Sequence, residues 1–294
     1  MTSRSKPPKS GLVEFISCAV ILLAWCGPSL AEVRALVWAS DYSQANNSDL
    51  ELKNTLVDAR AVSGMLRKLG LRDVRVIENA SAETWDTEIQ GLADRLGPED
   101  VALLYYAGHA VQVGGRNYFL AADGNTLISS EEVLSAVMGK GRGTVFLIDA
   151  CRDNPFRNQA AEKKQLKIGE IGANAPAAKS VDKPKSRAME TLSLTELANA
   201  QAGLSQMGNL RGKNTIVLFS TDPGNVALDG EPGTGSPFAN AVVSELSRRQ
   251  SLDNAIRKIA AEVDKRTKSR QAPWRQGDLS FPLFLAGQPR FPVP

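Results

Sequence analysis

The 294-residue chain is poor in the two side chains most used for metal binding and nucleophilic catalysis, holding one histidine, His109, and three cysteines, Cys18, Cys26 and Cys151. So few ligands exclude an ordinary Cys/His zinc site, and no spaced cluster of carboxylates replaces one. Aromatic residues make up only 6% of the chain, and the formal net charge is only +3. That balance gives no electrostatic reason to expect nucleic acid or an anionic membrane as a partner. Phosphate-binding loops are missing too. The first strand-like run leads into SDYSQANN rather than G-x-G-x-x-G, no G-x-x-x-x-G-K-[ST] occurs, and MGKGRGT precedes a strand instead of following one. The absence of G-x-S-x-G argues against an α/β-hydrolase. No internal repeat is visible.

What remains is an ordinary globular composition, 43% hydrophobic and 23% charged, at a length that suits one large or two small domains. Only the N-terminus departs from it. Arg4, Lys6 and Lys9 precede an apolar stretch, GLVEFISCAVILLAWC at 11–26, which is followed by Pro28 and the small-x-small pattern Ser29-Leu30-Ala31. The stretch is shorter than the roughly 20 residues that span a bilayer. It reads as a signal peptide, residues 1–31, cleaved after Ala31, with the protein exported to the periplasm or secreted and no stable membrane insertion afterwards. Cleavage removes three basic residues and one acid, leaving a net charge of +1. It also removes Cys18 and Cys26. Cys151 is then a lone thiol with no disulfide partner, a liability in an oxidising compartment unless it is buried or used.

Five apolar, β-rich runs predict strands at Val33–Ala39, Asp73–Glu78, Val101–Ala107, Thr144–Ala150 and Thr215–Ser220, with a sixth at Phe281–Ala286. VALLYYA and TVFLIDA are apolar throughout, as strands buried on both faces of a parallel sheet require. Helical stripes lie between them. Leu52, Leu56, Ala59, Val62, Leu66 and Leu69 form one that ends at Gly70. Trp85, Ile89, Leu92 and Leu96 follow a Ser81 cap, Ser236-Pro237 opens a third, and Leu252, Ile256, Ile259 and Val263 follow Ser251. Strands alternating with helices imply an α/β fold. Residues 157–187 break the rhythm with eight basic residues, three acids and no period, and are expected to be an exposed, flexible insertion. The domain is expected to span 32–287, with 288–294 as a tail.

Function in open parallel sheets gathers at the carboxyl ends of strands. His109 follows LLYYAG and Cys151 follows VFLIDA, so both fall at the ends of consecutive strands. Neighbouring strands lie about 4.8 Å apart, which puts a Cys–His pair within reach if the two strands are adjacent. Either residue alone also reads as a structural core residue.

The order and spacing of three blocks resemble the caspase-like peptidases, the group of caspases, metacaspases and their bacterial relatives. The blocks are LELKNTLVDARAVSGMLRKLGL, DVALLYYAGHAVQVGGRNYFLAAD and VFLIDACRDNPF; FSTDPGNVALDGEPGTGSPFANAV and RQAPWRQGDLSFPLFL look like the group's pocket loop and closing segment. The resemblance implies a mainly parallel sheet of about six strands with helices on both faces. It implies Cys151 as nucleophile and His109 as acid–base residue acting on a peptide or protein substrate. Backbone N–H groups of Cys151 and of the residue after the histidine, here Ala110 where the group usually has Gly, would hold the oxyanion. It implies a primary pocket lined by Asp149, two residues before the cysteine. Asp229 falls where Asp-cutting caspases carry Arg, and Asp222 is a third candidate. Carboxylates at these places would select Arg or Lys. Asp149 has a second reading as a strand-end acid serving a helix terminus, and Asp229 as a turn residue before Gly230. No cofactor is expected; calcium dependence, known among metacaspases, is not legible in any ligand cluster here. The rival reading is an interaction module of the same fold, without turnover, that binds basic segments and is motivated by Ala110.

The exported form is expected to begin at Glu32, which N-terminal sequencing of the mature protein checks; an intact Met1 start in a membrane fraction would mean an anchor instead.

Overall fold

The structure, a computed structural model, describes residues 31–113, 115–151, 165–169, 191–193, 207–223, 225–287 and 290–291. Residues 1–30, including nearly all of the expected signal peptide, lie outside these, as do most of 157–187 and most of the 288–294 tail.

Among the described residues the chain forms ten strands. They are β1 (Val33–Ala39), β2 (Val74–Glu78), β3 (Val101–Val113), β4 (Arg116–Leu120), β5 (Thr126–Ser129), β6 (Gly143–Cys151), β7 (Gln165–Gly169), β8 (Thr191–Ser193), β9 (Thr215–Phe219) and β10 (Trp274–Asp278). The helices are α1 (Thr55–Lys68), α2 (Ala82–Arg95), α3 (Ser130–Val137), α4 (Pro237–Leu246) and α5 (Leu252–Thr267). The central sheet runs β2-β1-β3-β6-β9-β10, parallel except for β10, which pairs antiparallel with β9.

Side chains alternate across this sheet, and each set has its own helices. Val37, Leu103, Tyr105 and Leu147 pack with α1, α4 and α5. Trp38, Leu104, Tyr106 and Phe146 pack with α2 and α3 on the other face. The all-apolar strand runs are thereby explained: both faces are covered. The expected caps form. Ser81, Ser236 and Ser251 each accept a hydrogen bond from a backbone N–H in the first turn of the helix they open, and Gly70 follows α1 with φ of +82°.

Three expectations need correction. The third strand does not stop at Ala107. It runs to Val113, so His109 lies within β3 rather than after it. β3 pairs with β6 as far as His109 opposite Cys151, then departs, and Ala110–Val113 pair antiparallel with β4 instead. His109 is therefore the last β3 residue held by the central sheet. A second, smaller sheet of β4, β5, β7 and β8 grows from that fork. Within 157–187, where an exposed, flexible insertion was expected, Gln165–Gly169 is a strand. Phe281–Ala286 is not a strand, although Phe281, Leu283, Leu285 and Ala286 are buried. Pro282 has no N–H to give a ladder, so the run fills the core as a loop. The edge strand is the polar WRQGD of β10, none of whose residues is fully buried.

Candidate active site

The two residues picked out by scarcity are brought together by register. His109 and Cys151 are directly opposed across the parallel β3–β6 pair. The His109 ring is buried, and its Nε2 lies 2.8 Å from the carbonyl of Leu50, which ends a 3-10 turn (Ser48–Leu50) in the loop between β1 and α1. A carbonyl only accepts, so Nε2 carries the proton in the neutral ring and Nδ1 keeps the lone pair. Among the described residues nothing hydrogen-bonds that buried Nδ1. Burial pushes the His109 pKa down to about 4, against the opposing effect of the Leu50 carbonyl. At neutral pH the imidazole alone is therefore a neutral base, not a preformed imidazolium.

The glycine before it is a matter of space. A Cβ on Gly108 would stand 2.5 Å from the Tyr106 hydroxyl and 2.8 Å from that of Tyr42. Ala110 is fully buried and is not among the residues with positive φ. The backbone there needs none of glycine's freedom to take positive φ, so alanine adds no conformational strain.

Beside Gly108 opens a small cleft of about 20 Å³. Ala107, Gly108 and Asp149 come from the sheet, Leu52, Thr55 and Asp58 from the entry to α1, and Ala227, Leu228, Asp229 and Ser236 from the loop before α4. Among the described residues, the only charged ones lining it are the three aspartates. Asp149 Oδ2 accepts from the Ser236 hydroxyl at 2.5 Å and from the Tyr105 hydroxyl at 3.3 Å. Ser236 in turn caps α4, accepting from the Ala239 N–H. Asp149 thus lines the cleft and, through the Ser236 hydroxyl, meets the start of α4. Asp58 Oδ1 accepts from the Ser236 N–H at 2.8 Å, and Asp229 Oδ2 from the Lys53 N–H at 3.0 Å.

Asp229 is not on a loose turn. The buried Asn54 side chain donates to the carbonyls of Asp229 and Glu231 and accepts from the N–H groups of Gly233 and Gly235, tying the loop to the start of α1. Asp222 is different. Its carboxylate accepts from Asn225 and Thr221 within its own turn, and it does not line the cleft.

Negative charge without a cation is costly here. Burial raises Asp58 to about 8, the charge of Asp149 adds to the rise, and the Ser236 N–H opposes it. Burial raises Asp149 to about 6, against the hydroxyls of Ser236, Ser220 and Tyr105. Ser220 acts by proximity, since its buried Oγ makes no hydrogen bond of normal geometry. Asp229 is also raised by burial. Asp58 was missed in the sequence. Its signal was an acid embedded in the buried stripe of α1, next to Ala59 and flanked by Thr55 and Val62. Among the described residues, no group of three or more His, Cys, Asp or Glu is arranged to hold a metal ion.

Comparison with known proteins accounts for this arrangement. The family model for the caspase domain matches residues 33–284. The fold is similar to the crystal structure of caspase-1 from Spodoptera frugiperda, with a TM-score of 0.57 and 17% identity over 87% of this chain and 90% of that one. No curated protein matches the chain in sequence.

The raised carboxyls give a stability test. A carboxyl whose pKa is higher folded than unfolded favours the fold below its unfolded pKa and loses that contribution as pH rises through the folded value. Asp58→Asn removes the ionisation and keeps an oxygen for the Ser236 N–H. It is expected to gain about 1–3 kcal/mol of stability relative to wild type between pH 5 and pH 8, measured by denaturant unfolding; an equal effect at both pH values would refute the assignment. With its sheet, its opposed histidine and cysteine and its matched model, this chain belongs to the caspase-domain family of cysteine peptidases.

Proposed function

We propose that the protein is an exported cysteine endopeptidase that cuts after Arg or Lys. The observation that carries this reading is the cleft beside the His109–Cys151 pair, whose charged lining groups among the described residues are Asp58, Asp149 and Asp229. A guanidinium or ammonium entering there meets carboxylates already desolvated, and an acidic side chain meets repulsion. Asp222 is left out of the pocket for the reason given above. The export assignment rests on the sequence pattern at 1–31.

In this mechanism the neutral His109 takes the Cys151 thiol proton at Nδ1. The thiolate attacks the scissile carbonyl carbon, and the oxyanion is held by the N–H groups of Cys151 and Ala110. The oxyanion collapses, the C–N bond breaks, and the leaving amine takes the proton from Nδ1. Water then attacks the thioester, gives its proton to Nδ1, and the Cys151 thiolate departs with the C–S bond electrons. The thiolate formed in the first step stabilises the imidazolium that burial alone disfavours.

Cys151→Ala and His109→Ala are each expected to abolish hydrolysis of Arg peptides while retaining the folded circular dichroism spectrum. Turnover retained in either variant would remove that residue from the mechanism. A thiol-reactive peptidyl-Arg probe should label Cys151; peptide binding without labelling would mean an interaction module instead.

The pocket predicts a pH signature separable from the dyad. Rates on an Arg peptide and on an otherwise identical peptide with an uncharged residue before the cut share the dyad's titration, so their ratio isolates the pocket. The carboxyls raised to about 8 and about 6 must ionise to pair with a cation, so the ratio is expected to climb between pH 6 and pH 8. Asp149→Asn should lower kcat/KM on the Arg peptide roughly ten- to a hundredfold, a charge-assisted hydrogen bond being worth about 1.5–3 kcal/mol. The uncharged peptide should be nearly unaffected. A flat ratio, or a variant that keeps its Arg preference, would overturn the pocket assignment.

A further inference from the structure

Tyr42 stands in the turn after β1 with φ of +59°, a backbone conformation in which a bulky side chain is a true outlier, and it is buried. Its hydroxyl donates to the Leu120 carbonyl at 2.9 Å and accepts from the His109 N–H at 2.9 Å. The Tyr106 hydroxyl, 3.2 Å away, donates to the His109 carbonyl at 2.6 Å. Two phenols therefore bracket the backbone of one residue, one at its N–H and one at its C=O. The Tyr42 ring also lies against the imidazole, with centroids 4.7 Å apart and planes tilted by 35°.

The same turn supplies Leu50, whose carbonyl meets Nε2. The turn is closed on itself by the Leu52 N–H donating to the Asp41 carbonyl. Tyr42 thus links the loop that holds the far side of the ring to the strand that carries the ring. Leu50 itself packs with Val111 and Leu120, so the loop stays attached without that link; what the Tyr42 hydroxyl adds is a fixed polar contact between the loop and the His109 backbone.

We propose that Tyr42, with Tyr106, is a positioning residue for His109. Its hydroxyl keeps the Leu50 carbonyl in register with the imidazole, fixing the ring's angle and tautomer so that Nδ1 is the basic nitrogen where β6 ends. This rests on the role given to His109 above. Neither phenol touches substrate, and the effect runs through the histidine. A ring displaced by a fraction of an ångström loses proton-transfer geometry without disturbing the cleft that holds the substrate.

Tyr42→Phe keeps the aromatic ring and deletes only the hydroxyl. On an Arg peptide it is expected to lower kcat roughly ten- to a hundredfold while KM changes by less than about twofold. Because the chain has a single histidine, the nitrogen-15 spectrum of its imidazole reports on His109 alone. Wild type should show a pyrrole-type Nε2 and a pyridine-type Nδ1. Tyr42→Phe should show both nitrogens averaged toward a mixture of tautomers. An unchanged kcat in an active enzyme overturns the proposal, and so does an unchanged imidazole spectrum. Wild type inactive on every peptide would sink the catalytic reading instead, and the spectra would still decide whether Tyr42 sets the state of the ring. If Tyr42→Phe does not fold, Tyr106→Phe removes the hydroxyl on the carbonyl side of the same residue and is read in the same two ways.

Discussion

Two parallel strands that start level and carry no bulge finish level. β3 and β6 start with Val101 opposite Gly143 and stay in step until His109 stands opposite Cys151. The starting level is itself constrained. A Cβ on Gly143 would come within 2.9 Å of the Phe281 ring and 3.2 Å of the Asn214 carbonyl, so the closing segment of the chain packs against the first residue of β6. A shift of one residue between the strands would not merely separate the pair. It would turn Asp149 from the α1 face of the sheet to the opposite face, because side chains alternate with a period of two. The facing of His109 and Cys151 and the shape of the cleft thus depend on the same register.

The cleft is held together in an economical way for so much unbalanced charge. Ser236 gives its hydroxyl hydrogen to Asp149, its N–H to Asp58, and its hydroxyl lone pair to the first turn of α4. One serine thereby anchors two acids and a helix. Three raised carboxyls without a cation are a standing cost to the fold, of the kind found where a site is shaped for something that arrives later.

Much of this was legible in the sequence, for definite reasons. Strands buried on both faces announce themselves as unbroken apolar runs, so β1, β3, β6 and β9 were placed with their order and spacing. His109 and Cys151 stood out because nothing else of their kind competes with them in the expected mature chain. The second sheet was hidden because β4, β5 and α3 are short and their apolar residues interrupted, and RNYFL and TLIS carry no period long enough to read. Asp58 was hidden because a helix stripe is recognised by its apolar members. Asn54 was hidden because its four partners all lie in a loop far along the chain. β10 was misplaced by five residues or more because an edge strand is polar, whereas the apolar run after it was the better strand by composition alone.

That distance between Asn54 and its loop has a further meaning in time. The two are separated by 175 residues or more. A chain delivered N-terminus first therefore presents its histidine strand and its cysteine strand long before the far wall of the cleft exists. Until Ser236 arrives, Asp58 and Asp149 face solvent rather than each other across an enclosed space, and α1 has no loop to grip. The paired histidine and cysteine strands come early and the far wall of the cleft beside them comes late. A chain that stops short of Ser236 thus has the pair without the cleft.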